Sequence, residues 1–238
     1  MCRSLLALTL VALAIVVPSA SGGSRADVVF FRDVGPAGAN GAFLISSDSP
    51  SAVVVFLHGW RDVGTGPYYD WIQELAFSGP AVIFPRYQPA AGGSPAGTLP
   101  ALRSGIEAGL AALRNPDVPL IVVGYDYGAR LAFYYAANAK RWGLPVPFAV
   151  DSVFPSAART GLPAIGAIPA ATRVVLQVDG ASASADLWNG LKGHPVARKQ
   201  LRLVKAAGHR APLADTAATR ATFWSPLDTL ILQAVAAG

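Results

Sequence analysis

The stretch PLIVVGYDYGARLAFYYAA, Pro119 to Ala137, decides the fold. Apolar, mostly β-branched residues run up to Gly124, which is the pattern of a strand buried on both faces. Tyr125, Asp126, Tyr127, Gly128 and Ala129 follow, and then an apolar-rich segment with helical spacing to about Arg141, stopped by Gly143. A strand that becomes a helix in so few residues makes a tight turn, and the tip of this one is an acid. The spacing G-x-D-x-G has a steric meaning. A tip residue held in strained backbone geometry needs small neighbours two before and two after, and Gly124 and Gly128 fill those places. The helix start beneath the tip favours negative charge. A plain βα turn with Asp126 as helix N-cap fits the same residues, so the rest of the chain has to choose.

Outward from this turn, strand-like and helix-like runs alternate. Val28–Arg32 and Ala42–Ser46 read as an opening hairpin, and Val53–Leu57 and Ala81–Pro85 as buried strands around a helix at Tyr68–Phe77. A helix is expected over Leu99–Leu113, a strand around Val150, another at Arg173–Val178 and a short helix at Ala185–Leu191. A last strand at Gln200–Lys205 and a helix at Pro226–Ala236 complete the pattern. This alternation, without repeats or a dividing linker, implies one α/β domain over 27–238. Its sheet would be mostly parallel, with helices on both faces.

Two further places bear on chemistry. VVVFLHGW ends a strand with His58, Gly59 and Trp60, and AAGHRAPLAD puts His209 on a loop after the last expected strand. In chain order, LHGW, GYDYGA and GHR resemble the α/β-hydrolase fold family over nearly the whole chain after its first twenty residues. Length and the lack of inserted segments resemble its compact, cap-less dienelactone-hydrolase-like branch. The resemblance implies that Asp126 is the nucleophile-elbow tip and His209 the base. It also implies that the backbone N–H groups of Trp60 and Tyr127 form the oxyanion hole. His58 is then structural, and His194 is expected at the surface. The acid that orients His209 is expected at Asp179, with Asp151 and then Asp186 as alternatives.

The tip departs from that branch, which carries Cys or Ser there. Asp-tipped relatives are haloalkane dehalogenases and epoxide hydrolases, whose carboxylate attacks an sp3 carbon. A carboxylate is ionised at neutral pH and needs no base to become a nucleophile, whereas its attack on an ordinary ester would give a reactive anhydride. Those relatives carry a helical cap; here Pro155–Arg173 is a Pro/Gly/Ala-rich loop, too short for one. Tyr127 follows the tip where a dehalogenase typically has Trp. The expectation is a hydrolase for a small, fairly apolar ester, lactone, epoxide or halide, in which Asp126 attacks or serves as a general base. The alternative is a catalytically degenerate homologue that binds a ligand or partner. An adhesive or structural module would instead leave Asp126 and His209 far apart.

Bulk composition agrees with an ordered domain: 53% of the residues are hydrophobic and 14% charged. Arg3, the apolar run Leu5–Val17 and PSASGG read as a signal peptide over residues 1–20, too short to span a bilayer. Export is therefore expected, with no stable membrane anchor after cleavage. Cys2 is the single cysteine and would leave with that segment, which excludes a Cys nucleophile, a Cys metal site and disulfides. No cofactor and no metal is expected. The formal net charge is +5, but the arginines are scattered without interleaved aromatics, which argues against nucleic acid as partner.

Overall fold

The computed structural model describes residues 29–88, 94–113, 117–158, 161–179, 184–205 and 208–238. The segment read as a signal peptide lies outside the described residues, as does Cys2. Eight strands form one sheet: β1 (Phe30–Val34), β2 (Ala42–Ser46), β3 (Val53–Leu57), β4 (Ala81–Pro85), β5 (Leu120–Tyr125), β6 (Ala149–Val153), β7 (Arg173–Val178) and β8 (Lys199–Leu203). Their order is β1-β2-β4-β3-β5-β6-β7-β8. The hairpin β1–β2 and the pair β2–β4 are antiparallel, and every later pair is parallel. This is the mostly parallel sheet that the alternating pattern predicts.

Both faces are covered, and strict side-chain alternation supplies both cores. Val53, Val55 and Leu57 of β3 pack with α2 (Pro95–Ala111), α3 (Tyr127–Trp142) and α4 (Ala185–Gly190). Val54 and Phe56 point the other way, towards α1 (Tyr69–Phe77) and the C-terminal helix. There Trp71 stacks on Trp224, with ring centroids 5.8 Å apart. Burial of two such rings is a large part of what holds this layer.

Differences from the sequence reading have local causes. α2 begins four residues early, because Ser94 caps it by accepting from the Ala96 N–H at 3.3 Å and Pro95 occupies its first turn. The C-terminal helix also starts early, as α5 (Ala217–Thr219), and passes through a π-helical turn at Arg220–Trp224 into α6 (Ser225–Val235). The wider turn buries the consecutive Phe223 and Trp224. His194 is not a surface residue: it is buried, with Nε2 2.9 Å from the Thr172 carbonyl oxygen. Between β6 and β7 the described residues form no helix and no cap domain.

The topology positions the site. Leu57 pairs with Gly124, so β3 and β5 end side by side, yet the chain leaves β3 for α1 on one face and β5 for α3 on the other. A crevice opens at the carboxyl ends of strands where connections diverge in this way.

Candidate active site

Asp126 stands at this crevice with φ 54° and ψ −114°, a conformation that a residue with a Cβ adopts only under strain, at a cost of roughly 1–3 kcal/mol. What enforces it is crowding of backbone. A Cβ on Gly124 would lie 2.2 Å from the Gly128 oxygen, and one on Gly128 would lie 2.1 Å from the Leu57 oxygen. The strand end, the helix start and the end of β3 therefore touch through bare backbone. The Asp126 N–H donates to the Val153 oxygen (3.1 Å) and its carbonyl accepts from the Ser156 N–H (3.1 Å), so the turn is tied to β6 as well.

The Asp126 side chain makes no capping bond that would turn it into an ordinary N-cap. Its Oδ2 accepts the Trp60 N–H at 3.0 Å, and the nearby Tyr127 N–H also helps to hold the carboxyl pKa down. The Trp60 donor assigned to an oxyanion hole thus sits on the tip residue's own oxygen, and the Tyr127 N–H acts on the same carboxylate. The Tyr127 side chain turns away: it is buried, edge-on to Trp60, and its hydroxyl lies 3.4 Å from Thr98 Oγ1. It offers nothing to a ligand.

The loop that presents Trp60 is braced by residues whose roles no local pattern announces. Tyr68 Oη accepts the Gly59 N–H at 2.6 Å and donates to Asp62 Oδ2 at 3.1 Å. Gln88 Oε1 accepts the Arg61 N–H at 2.7 Å, and the Tyr87 hydroxyl donates to the His58 carbonyl. His58 is fully buried against the Tyr87 ring, and that burial pushes its pKa down to about 4, leaving a neutral structural imidazole. Trp71 belongs to the core and Tyr69 is exposed.

His209 Nε2 lies 3.4 Å from Asp126 Oδ1, and the imidazole is half exposed. The hydrogen bond that His209 donates to Asp126 raises the His209 pKa above its ordinary value, against the opposing effect of burial. Burial works to raise the Asp126 pKa, but the bonds from His209, Trp60 and Tyr127 outweigh it and hold the carboxyl below its ordinary value. The tip is therefore an anion at neutral pH. The His209 ring packs between Tyr125 and Phe154, and the Tyr125 hydroxyl donates to the His209 carbonyl at 2.9 Å. Tyr125 precedes the tip directly, which was the available sequence signal for this contact.

None of the three expected acids hydrogen-bonds His209 among the described residues. Asp179 shares the cavity and acts on His209 through charge only. Asp151 is too deep: it lies mid-strand in β6, fully buried, where Gln177 Nε2 donates to both of its oxygens at 2.9 and 3.1 Å. Asp186 is committed elsewhere, in a two-pronged pair with the buried Arg130 at 2.6 and 3.1 Å. Arg130 also donates to the Ser156 carbonyl at 3.0 Å, so this pair fastens the loop after β6 and the first turn of α4 to α3.

The cavity beside Asp126 holds about 230 Å3 and is walled by Phe154, Pro155, Val178, Asp179, Ser184 and His209. It suits a small ligand. A larger cavity of about 340 Å3, between α3 and α4, contains neither Asp126 nor His209. Among the described residues no cluster of His, Cys, Asp and Glu could hold a metal ion.

No protein-family model and no curated protein sequence matches the chain. Solved structures do. A dienelactone hydrolase-like promiscuous phosphotriesterase from metagenomic libraries superposes with a TM-score of 0.59 at 15% identity, covering 87% of this chain and 98% of that one. Esterase B from Lactobacillus rhamnosis gives 0.61 at 13% identity, covering 86% and 87%. An esterase/lipase from an uncultured bacterium gives 0.62 at 14%, covering 90% and 87%. Strand order, elbow and these superpositions agree: the chain has the α/β-hydrolase fold, without a separate cap domain among its described residues.

Proposed function

We propose that this chain is a hydrolase in which Asp126 Oδ1 attacks an electrophilic sp3 carbon of a small, fairly apolar substrate, such as an epoxide or a short haloalkane. The observation that carries this reading is the seat of Asp126 Oδ2 on the Trp60 N–H. An acyl substrate would need that same donor for its own carbonyl oxygen, and here it is taken. That ranks alkyl transfer above acyl transfer from esters or lactones.

In the first step the Oδ1–carbon bond forms and the carbon–leaving-group bond breaks: a halide departs as the anion, and an epoxide oxygen stays attached as an alkoxide that takes a proton from solvent. Asp126 becomes a neutral ester and no longer holds the His209 pKa up, so the imidazole can accept a proton. A water then loses its proton to His209 Nε2 and attacks Asp126 Cγ. Negative charge collects on Oδ2, where the Trp60 N–H already points. Collapse expels the alcohol, which takes the former Oδ1 and the proton from His209. The second proton of that water is left on the new carboxyl group and passes to solvent, which restores the carboxylate with one oxygen from water. The signal-like first twenty residues support placing this activity outside the cell.

The test is a single turnover in H2(18)O with enzyme in excess, using styrene-type epoxides, short haloalkanes, aryl esters and a lactone, beside Asp126→Ala and Asp126→Ser. The expected result is an epoxide or haloalkane product free of label, with the label in Asp126, and no turnover by Asp126→Ala. Label in the product of the first turnover makes Asp126 a general base. An inactive parent, with ester hydrolysis appearing only in Asp126→Ser, makes the chain a retired scaffold that binds.

A further inference from the structure

At the opposite end of the sheet from Asp126, where β7 and β8 begin, a cleft of about 300 Å3 lies between these strands and α6. Arg173, Arg198 and Arg202 line it, joined by the polar side chains of Gln200, Thr229 and Gln233. No Asp or Glu is among its lining residues. Guanidinium groups gathered without a counter-charge repel one another, and a polyvalent anion removes that repulsion.

Arg173 is the least committed of the three. Its Nε is out of contact with solvent and has no hydrogen-bond partner, and its guanidinium makes no ion pair among the described residues. Its contact is with the Phe148 ring, 5.7 Å from the centroid. Since Nε has no contact with solvent, a ligand would meet Arg173 through its terminal Nη atoms. Arg198 uses Nη1 on the Ala171 carbonyl, and Arg202 uses Nη1 on Gln177 Oε1 and the Thr222 carbonyl, which fixes both side chains in place. The buried Asp151 does not neutralise the cleft directly: Gln177 stands between it and Arg202, bonding both. Val175, Pro226 and Leu230 give the cleft an apolar wall.

We propose that this cleft binds a phosphate monoester, its oxygens on Arg173, Arg198 and Arg202 and its compact organic group on the apolar wall. Planar guanidinium forks match phosphate oxygens in pairs. The site is independent of Asp126, so its occupancy stands or falls apart from the catalytic reading.

Calorimetric titration of the full chain with glycerol 3-phosphate and with inorganic phosphate, at constant ionic strength set with chloride, tests this. The expected result is one site per chain, preferring the monoester. Affinity should drop at least roughly tenfold in Arg173→Gln and in Arg198→Gln and stay unchanged in Asp126→Ala. Arg198→Gln keeps the test decisive if Arg173→Gln does not fold. No binding, or equal binding by the variants, overturns the proposal. Binding only to phosphatidylcholine vesicles that contain phosphatidic acid overturns it in favour of a lipid headgroup.

Discussion

Gly128→Ala examines the elbow at its tightest point. The added Cβ would sit 2.1 Å from the Leu57 oxygen, 2.4 Å from the Leu57 carbonyl carbon and 2.5 Å from the His58 oxygen. All three are backbone atoms of a fully buried strand end, so no rotamer change relieves the clash. The end of β3 and the start of α3 must separate by about 1 Å in a close-packed region. Overpacking a core costs about 1–3 kcal/mol, and a backbone contact belongs at the top of that range. Replacing a helical Gly by Ala returns about 0.5–1 kcal/mol, which leaves a net loss of about 2 kcal/mol or slightly more. For a chain of this size each kcal/mol lowers Tm by about 2–4 °C, so a drop of about 4–10 °C is expected. Urea and thermal unfolding followed by circular dichroism measure it. Gly97→Ala, at a helical position with nothing within 4 Å of the new Cβ, is the matched control and should change stability by less than about 1 kcal/mol. If Gly128→Ala melts within about 2 °C of the parent, the backbone crossing is not tight and the steric account of the elbow is wrong.

Stability against pH probes the buried network behind the site. Burial pushes the Asp151 pKa up to about 7 from 3.8, so the folded chain holds its proton longer than the unfolded chain, and Asp151 withdraws stability as pH rises from about 4 to 7. His58, pushed down to about 4, works the other way: the unfolded chain takes up the proton first, so stability falls as pH drops from 6.5 to 4. The parent should therefore show a shallow profile between pH 4 and 6.5. Relative to it, Asp151→Asn should gain up to about 4 kcal/mol between pH 4 and pH 7 in urea titrations, from a shift of about three pH units; a constant difference rules out a buried, protonated Asp151. Asp126→Asn removes the carboxylate that raises the His209 pKa, so the imidazole should titrate at lower pH. His209 is the exposed one of three histidines, which makes it readable by NMR; an unchanged titration refutes the Asp126–His209 bond.

Much of the fold was legible because it rests on local order. The apolar runs at Val53–Leu57, Ala81–Pro85 and Arg173–Val178 coincide with β3, β4 and β7 residue for residue. The two glycines around Asp126 announced a crowded turn, because only a missing Cβ permits backbone atoms so close. The early start of α2 was hidden by prolines that usually mark loops, and the start of the C-terminal helix by threonines at a π-helical turn. By itself, then, the sequence determined the parallel α/β architecture, the elbow and the acid at its tip, since periodicity and side-chain volume act over a few residues. Tertiary structure alone decided where the carboxylates went. Asp151 met Gln177 across 26 residues and Asp186 met Arg130 across 56, while Asp126 met Trp60 across 66. Such pairings depend on which strand ends and loops the fold brings together, and on which buried charge most needs a partner. No spacing along the chain encodes that.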